Sequence, residues 1–405
     1  MRDVALREVL RRLAVEGFVE LSTNQAATVS QLDLGDMRHA WTARLTLEPA
    51  ASAPPRGWTS SDPEPRRRRL HSGRKRGSLD DGSSTSASAP SRPLTVSSDD
   101  LNPSPKTAPR DPEEVEARAA GRPPEISPAT TLGPVHLTVA DLDRSVGYYD
   151  AAVGLETLER ADGRATLGVA AGRLLVLIEE PGARPAAGYT GLYHFALLVP
   201  ERVDLARWLA HAARDRVALT GLSDHFVSEA IYLTDPDGHG IEIYQDRPRE
   251  AWEGLVASRM TTLPLDVDAL FGELADPASE PFEGLPAGTV MGHVPLKVAQ
   301  IADTIGFYRD VLGFGVMAQL GGQAAFLSAG GYHHHIGANT WESQGAPPAP
   351  EGFAALRHGT IVLPTADERE RLLGRAAAAG AGAEETAEGP LLTDPSGNKL
   401  LVAVA

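Results

Sequence analysis

The chain has 405 residues, 42% of them hydrophobic, a formal net charge of −16 and no cysteine. That length supports two or three domains, and the lack of thiols excludes disulfides and thiolate or iron–sulfur metal sites, so any metal must rest on His, Asp or Glu. The acidic charge argues against a nucleic-acid binder, and with no apolar run near the ~18 residues of a membrane span and no signal-like start, a cytoplasmic protein is expected.

Residues 1 to about 50 read as helix, short hairpin and helix. ALREVLRRLAVEGFVEL places Leu6, Leu10 and Leu13 on one helical stripe, and Gly17 suits a helix stop. The stretch LREVLRRLAVEGFVELSTNQAATVSQLDLGDMRHAWTARLTLEP resembles the recognition helix, wing and first effector-domain helix of a GntR-type regulator. The supporting helices of such a module are not seen before Ala5, so no DNA binding is expected. From 51 to 128 the chain is rich in Pro, Ser, Arg and Gly and has no apolar periodicity, which predicts a disordered linker. Its basic run, Arg66 to Arg69 with Arg74, Lys75 and Arg76, reads as a solvated tract.

Regular patterning begins near residue 129 and repeats. VADLDRSVGYYDAAVGLE from Val139 matches VAQIADTIGFYRDVLGFG from Val298, and LTDPDGHGIEIY from Leu233 matches LTDPSGNKLLVA from Leu392, both at an offset of 159 residues. This is an internal duplication. Within each half a strand, an amphipathic helix and three further strands occur twice. PVHLTVA, GLYHFALLVP, GHVPLKV and LRHGTIVLP open the four units. The expected fold is α+β, with four βαβββ units in two domains, 129–250 and 285–405.

Alternation along strands then selects candidate ligands. In PVHLTVA, Val135, Leu137 and Val139 share a core face and His136 lies opposite. In LYHFALLV, Phe195, Leu197 and Val199 face inward and His194 outward. Ile241 and Ile243 bracket Glu242 in the same way, and Asp235-Pro236-Asp237-Gly238 forms a type I turn that folds the Tyr232 strand beside the Glu242 strand. Two histidines and a carboxylate on one curled sheet face match the facial triad of non-heme Fe(II) oxygenases, which leaves coordination positions open for substrate and dioxygen. At the 159-residue offset, His136 falls on Pro295, Tyr232 on Leu391 and Glu242 on Leu401, while His194 corresponds to His358. The second half therefore reads as a degenerate copy.

On GLYHFALLVP, SEAIYLTDPDGHGIEIYQDRP and LSAGGYHHHIGANTW, residues 130 to 405 resemble the vicinal-oxygen-chelate superfamily, and in particular its two-domain catechol 2,3-dioxygenase-like members. His225, Ile231, Tyr232, Asp235, Pro236, Gly238 and Glu242 match the extradiol signature in order, with Ser223 departing from it. The resemblance implies Fe(II), or alternatively Mn(II) or Zn(II), on His136, His194 and Glu242. His225 and Tyr232 would be the catalytic hydrogen-bonding pair, and a small aromatic diol and dioxygen the substrates. Such enzymes carry an acid–base histidine on the last strand of the unit that begins with the first ligand. The matching stretch here, GRLLVLIEEP, holds none; Glu179 and Glu180 are the available substitutes, although both read as ending a strand in solvent. His333, His334 and His335 read as structural or pocket-lining residues, His239 as exposed, and Asn339 and Trp341 as loop-locking candidates. A non-oxidative glyoxalase-like enzyme and a non-catalytic binding or resistance protein are the alternative readings. Paired sheets and acidic charge suggest a homodimer.

Overall fold

The computed structural model describes residues 125–170 and 172–405, with the backbone of two short antiparallel strands, Val19–Glu20 and Thr28–Val29. Those strands occupy the expected hairpin. The helices expected on either side of it, and residues 51–124 of the expected linker, lie outside the described residues. The last few linker residues belong to the folded region instead: Ile126 is buried, and its N–H bonds the Gly313 carbonyl at 2.9 Å.

The four expected units are all present. The first comprises β1 (Val135–Val139), α1 (Leu142–Tyr148), β2 (Glu156–Ala161), β3 (Arg164–Val169) and β4 (Gly172–Glu179). The second comprises β5 (His194–Leu198), α2 (Arg202–Arg214), β6 (Leu219–Asp224), β7 (Ser228–Thr234) and β8 (Gly240–Asp246). The third comprises β9 (Val290–Lys297), α3 (Ile301–Ile305), β10 (Gly315–Leu320), β11 (Ala324–Ser328) and β12 (Ile336–Asn339). The fourth comprises β13 (Leu356–Leu363), α4 (Ala366–Ala378), β14 (Glu384–Thr386), β15 (Gly389–Thr393) and β16 (Lys399–Val404).

Local chemistry accounts for the elements. Asp141 caps α1 by accepting from the Arg144 N–H at 3.0 Å, Thr365 caps α4, and Glu201 with Asp204 forms a capping box on α2. The apolar side of α2, with Leu205, Trp208, Leu209 and Ala212 fully buried, packs into the core, each large side chain contributing roughly 1.5–3 kcal/mol of burial. The Trp208 indole N–H finds the Val153 carbonyl at 3.0 Å.

The sheets do not follow the sequence halves. Units two and three share one ten-stranded sheet, in which β5 and β9 run antiparallel side by side. Units one and four share a nine-stranded sheet, with β13 against β1. Each sheet thus takes one unit from each half. In both, the opening strand of a unit lies parallel to the closing strand of the same unit, as β5 does to β8 and β13 to β16.

Candidate metal centre and pocket

Three side chains of the first sheet converge on one point. His194 starts β5, Glu242 lies mid-β8, and His293 lies on β9, the strand contributed by the other half of the chain. The register places Ala196 opposite both Glu242 and His293, which brings the three residues to one stretch of the sheet. His293 Nε2 is 3.0 Å and His194 Nε2 2.8 Å from the same Glu242 oxygen. The His194 nitrogen lacks the alignment of a hydrogen bond and has no partner. Glu242 is 2% and His293 1% exposed.

The turn that positions Glu242 forms as expected. The Gly238 N–H closes on the Asp235 carbonyl at 3.1 Å, and Gly238 takes φ +93°, a value costly for any side-chain-bearing residue. The Asp235 carboxylate accepts from the Asp237 and His239 N–H groups at 2.9 and 2.8 Å and from the Tyr149 hydroxyl at 2.8 Å. The strand bearing Glu242 is thereby tied to the end of α1. Asp394 repeats the device in the fourth unit, accepting from Ser396 and Asn398. On β9, a Cβ at Gly292 would stand 1.8 Å from the Tyr244 hydroxyl, so the glycine lets the Tyr244 side chain of β8 reach across β5 to the strand carrying His293.

The three groups line a cavity of about 670 Å³ together with His225, Tyr232 and His334. His225 sits at the β6–β7 turn, next to Phe226, which holds a left-handed φ of +70° stabilised by the Asp224 carboxylate on its N–H. The two ring nitrogens of His225 have distinct partners, Nδ1 to the Thr261 carbonyl at 2.8 Å and Nε2 to the Tyr232 hydroxyl at 2.7 Å. A carbonyl only accepts, so Nδ1 carries a proton and Nε2 is the atom that exchanges one with the pocket. Desolvation, then the Glu242 charge, push Tyr232 well above its ordinary value, keeping its hydroxyl protonated.

Electrostatics favours the ligating forms at the convergence. Burial pushes Glu242 up, but contact with His293 and His194 overcomes this and holds it well below the usual carboxylate range. Burial likewise keeps His293 low, against the pull of Glu242. Two imidazoles and a carboxylate, with His194 Nε2 and His293 Nδ1 lacking hydrogen-bond partners, are a donor set that fits a divalent d-block ion.

The structure separates His136 from the other expected ligands. It lies on β1 in the second sheet, beside His358 and Glu388, and burial followed by the neighbouring His358 lowers it to about 3. The third group at the His194–Glu242 convergence is His293, which strand reading missed. The 159-residue offset sets Pro295 against His136, and His293 stands two residues earlier on the same face of that strand. Glu179 and Glu180 are engaged elsewhere: Glu179 accepts from the Leu142 N–H at 2.9 Å, and Glu180 from the Gly352 N–H and from Arg357. His239 is buried rather than exposed, its Nε2 2.9 Å from the Thr138 carbonyl. Asn339 is buried and Trp341 half exposed against Tyr193, and both line the cavity. His334 reaches the cavity, its ring 4.2 Å from that of His293. His333, behind it, bonds His334 through the paired Nδ1 atoms at 2.9 Å and Asp246 through Nε2 at 2.8 Å.

Fold and site together define a two-domain protein of the vicinal-oxygen-chelate type. The family model for the Glyoxalase/Bleomycin resistance protein/Dioxygenase superfamily matches residues 131–243 and 290–402, and the chain belongs to that superfamily. It does not extend to the N-terminal residues that resemble a GntR-type regulator. A catechol-2,3-dioxygenase of Bacillus subtilis (strain 168) is 41% identical over 274 residues, 66% of this chain and 94% of that protein. Among solved structures, a putative dioxygenase from Bacillus subtilis aligns with a TM-score of 0.47 at 14% identity, covering 69% of this chain and 86% of the other. Glyoxalase I from Zea mays aligns with a TM-score of 0.43 at 15% identity, covering 67% and 92%. Among the described residues no helix is long and apolar enough to cross a membrane.

Proposed function

We propose that the chain is a metal-dependent extradiol-type dioxygenase that opens the ring of a catechol or a related aromatic diol, with Fe(II) held by His194, His293 and Glu242. The observation that carries this reading is the meeting of three ligating atoms within one cavity, with the His225–Tyr232 pair on the same wall. The identity to a protein named catechol-2,3-dioxygenase supports it. When bound, the metal would acidify the diol and bring it together with dioxygen.

The chain's own groups supply the rest. His225 takes or gives a proton at Nε2, while its Nδ1–H on Thr261 fixes the ring. Once Nε2 carries a proton it donates to the Tyr232 oxygen, which frees the Tyr232 O–H to donate to charge developing on the substrate. His334 is the acid–base histidine that the first unit lacks. It lies two residues before the last strand of the unit whose opening strand carries His293, next to the strand on which the resemblance places such a histidine. Burial, then His293 and His333, hold it well below its ordinary value. The Asp246 carboxylate accepts from His333 Nε2–H, and where His333 Nδ1 accepts in turn from His334 Nδ1–H, the lone pair of His334 lies at its Nε2.

The test is oxygen uptake with catechol and substituted catechols by protein purified without air and loaded with Fe(II), beside Glu242→Gln. Uptake with a ring-opened product, lost in the variant, supports the reading. Full turnover without dioxygen, on Zn(II) or Mn(II), moves the chain to the non-oxidative chemistry of the superfamily. Ligand binding that survives in Glu242→Gln without any turnover moves it to a binding protein.

A further inference from the structure

A second convergence of imidazoles and a carboxylate lies in the other sheet. β1 and β13, the opening strands of the first and fourth units, run antiparallel with His136 directly opposite His358, their rings 3.9 Å apart. Glu388, in the β14–β15 hairpin, presents one oxygen to both, 3.6 Å from His136 Nδ1 and 3.3 Å from His358 Nε2. Neither nitrogen has a hydrogen-bond partner, although the His136 side chain is only 7% exposed. Arg164 holds the other Glu388 oxygen at 2.6 Å, which fixes the carboxylate with its free oxygen toward the imidazoles.

We infer that His136, His358 and Glu388 form a second divalent-cation site, suited to Zn(II) or Co(II). One ligand atom from each lies within 4.8 Å of the others. A hydrogen-bonded His–Glu cluster would leave neither nitrogen orphaned, and unpaired buried nitrogens are costly unless something else fills their lone pairs. Two imidazole nitrogens and one carboxylate oxygen select a borderline d-block ion over Mg(II) or Ca(II), which prefer oxygen donors.

The site is not a copy of the first. Glu242 stands opposite Ala196, two residues past His194. The equivalent position, opposite Thr360 and two residues past His358, is Leu401. The lost carboxylate is replaced from a different element, the hairpin leading into β15. Arg164 offsets the Glu388 charge, so an ion here is less well neutralised than one between His194, His293 and Glu242, and it binds more weakly. Its effect is to tie the opening strand of the first unit to the opening strand and hairpin of the fourth.

The experiment uses the full chain, stripped with a chelator and titrated with Co(II) by visible absorbance and calorimetry. Every variant carries Glu242→Gln, which weakens the first site on the order of 100-fold, and the comparison within this series isolates the second. The expected result is about one Co(II) per chain that raises the Tm and is lost on adding either Glu388→Gln or His358→Gln. Glu388 is partly exposed in a hairpin, so Glu388→Gln keeps the fold, which circular dichroism verifies. The inference is overturned if the Glu388→Gln and His358→Gln proteins bind as much Co(II) as the Glu242→Gln parent, or if that parent binds none.

Discussion

His293→Gln tests the assignment of the third ligand, because the strand-based alternative, His136, lies in the other sheet. Glutamine keeps much of the volume at a position that is 1% exposed, so the fold survives, but it replaces a good nitrogen donor with an amide. Apparent binding free energies of roughly 10–16 kcal/mol for four-ligand Zn(II) sites correspond to about 3 kcal/mol per ligand. At about 1.4 kcal/mol per decade, removing one ligand weakens the ion on the order of 100-fold. A competitive chelator titration under anaerobic conditions reads this directly, with Fe(II) or Co(II) as the ion. The expected pattern is a loss of that size in His293→Gln, with Fe(II)-supported oxygen uptake falling in parallel. In His136→Gln the tight site and turnover are unchanged. Wild-type affinity in His293→Gln, or loss of the tight site in His136→Gln, would refute the geometry argued above.

Three further outcomes are expected. His334→Gln should lower kcat about 100-fold with tight metal binding intact, since it removes an acid–base group and no ligand; an unchanged kcat would reassign that role. Asp235→Ala strips the partner from two backbone N–H groups and the Tyr149 hydroxyl at a buried turn, and should cost about 3 kcal/mol in urea unfolding; a change under about 0.5 kcal/mol would mean that water restores all three bonds. His335 accepts the Ala329 N–H at Nδ1, and burial, then His333, lowers it to about 4. Its folded value lies below its unfolded one, so its contribution is complete above about pH 6.5 and is lost as the pH falls toward 4. The pH 7 to 4.5 stability drop should shrink by about 2 kcal/mol in His335→Gln, and an unaltered drop would show that other groups govern acid unfolding.

Strand alternation correctly placed His194 and Glu242 away from the core faces, because Ile241, Ile243, Phe195 and Leu197 mark those faces by burial alone. The Asp-Pro-Asp-Gly turn was legible for the same reason, since its geometry depends only on neighbours in sequence. His293 was not. Its place beside Glu242 depends on the β5–β9 pairing, which joins the two halves of the chain, and no local period records which strands will meet. The duplication itself misled at this point. The offset aligned His136 with Pro295, whereas the histidine of that strand that meets His194 and Glu242 sits one pleat earlier. The buried state of His239 also escaped, because the Thr138 carbonyl that engages it lies far away in the sequence.

The crossing of halves between sheets has a consequence for how such a protein can change. In an assembly of two identical chains, every substitution appears at both seams, so neither can alter without the other. Here the equivalent seams, β5–β9 and β13–β1, are encoded by different residues of one chain. One seam can keep its chemistry while the other exchanges a glutamate for Leu401 and recruits Glu388 from a hairpin. The covalent link fixes one of each seam per chain, and neither half alone contains all three residues of either His–His–Glu cluster.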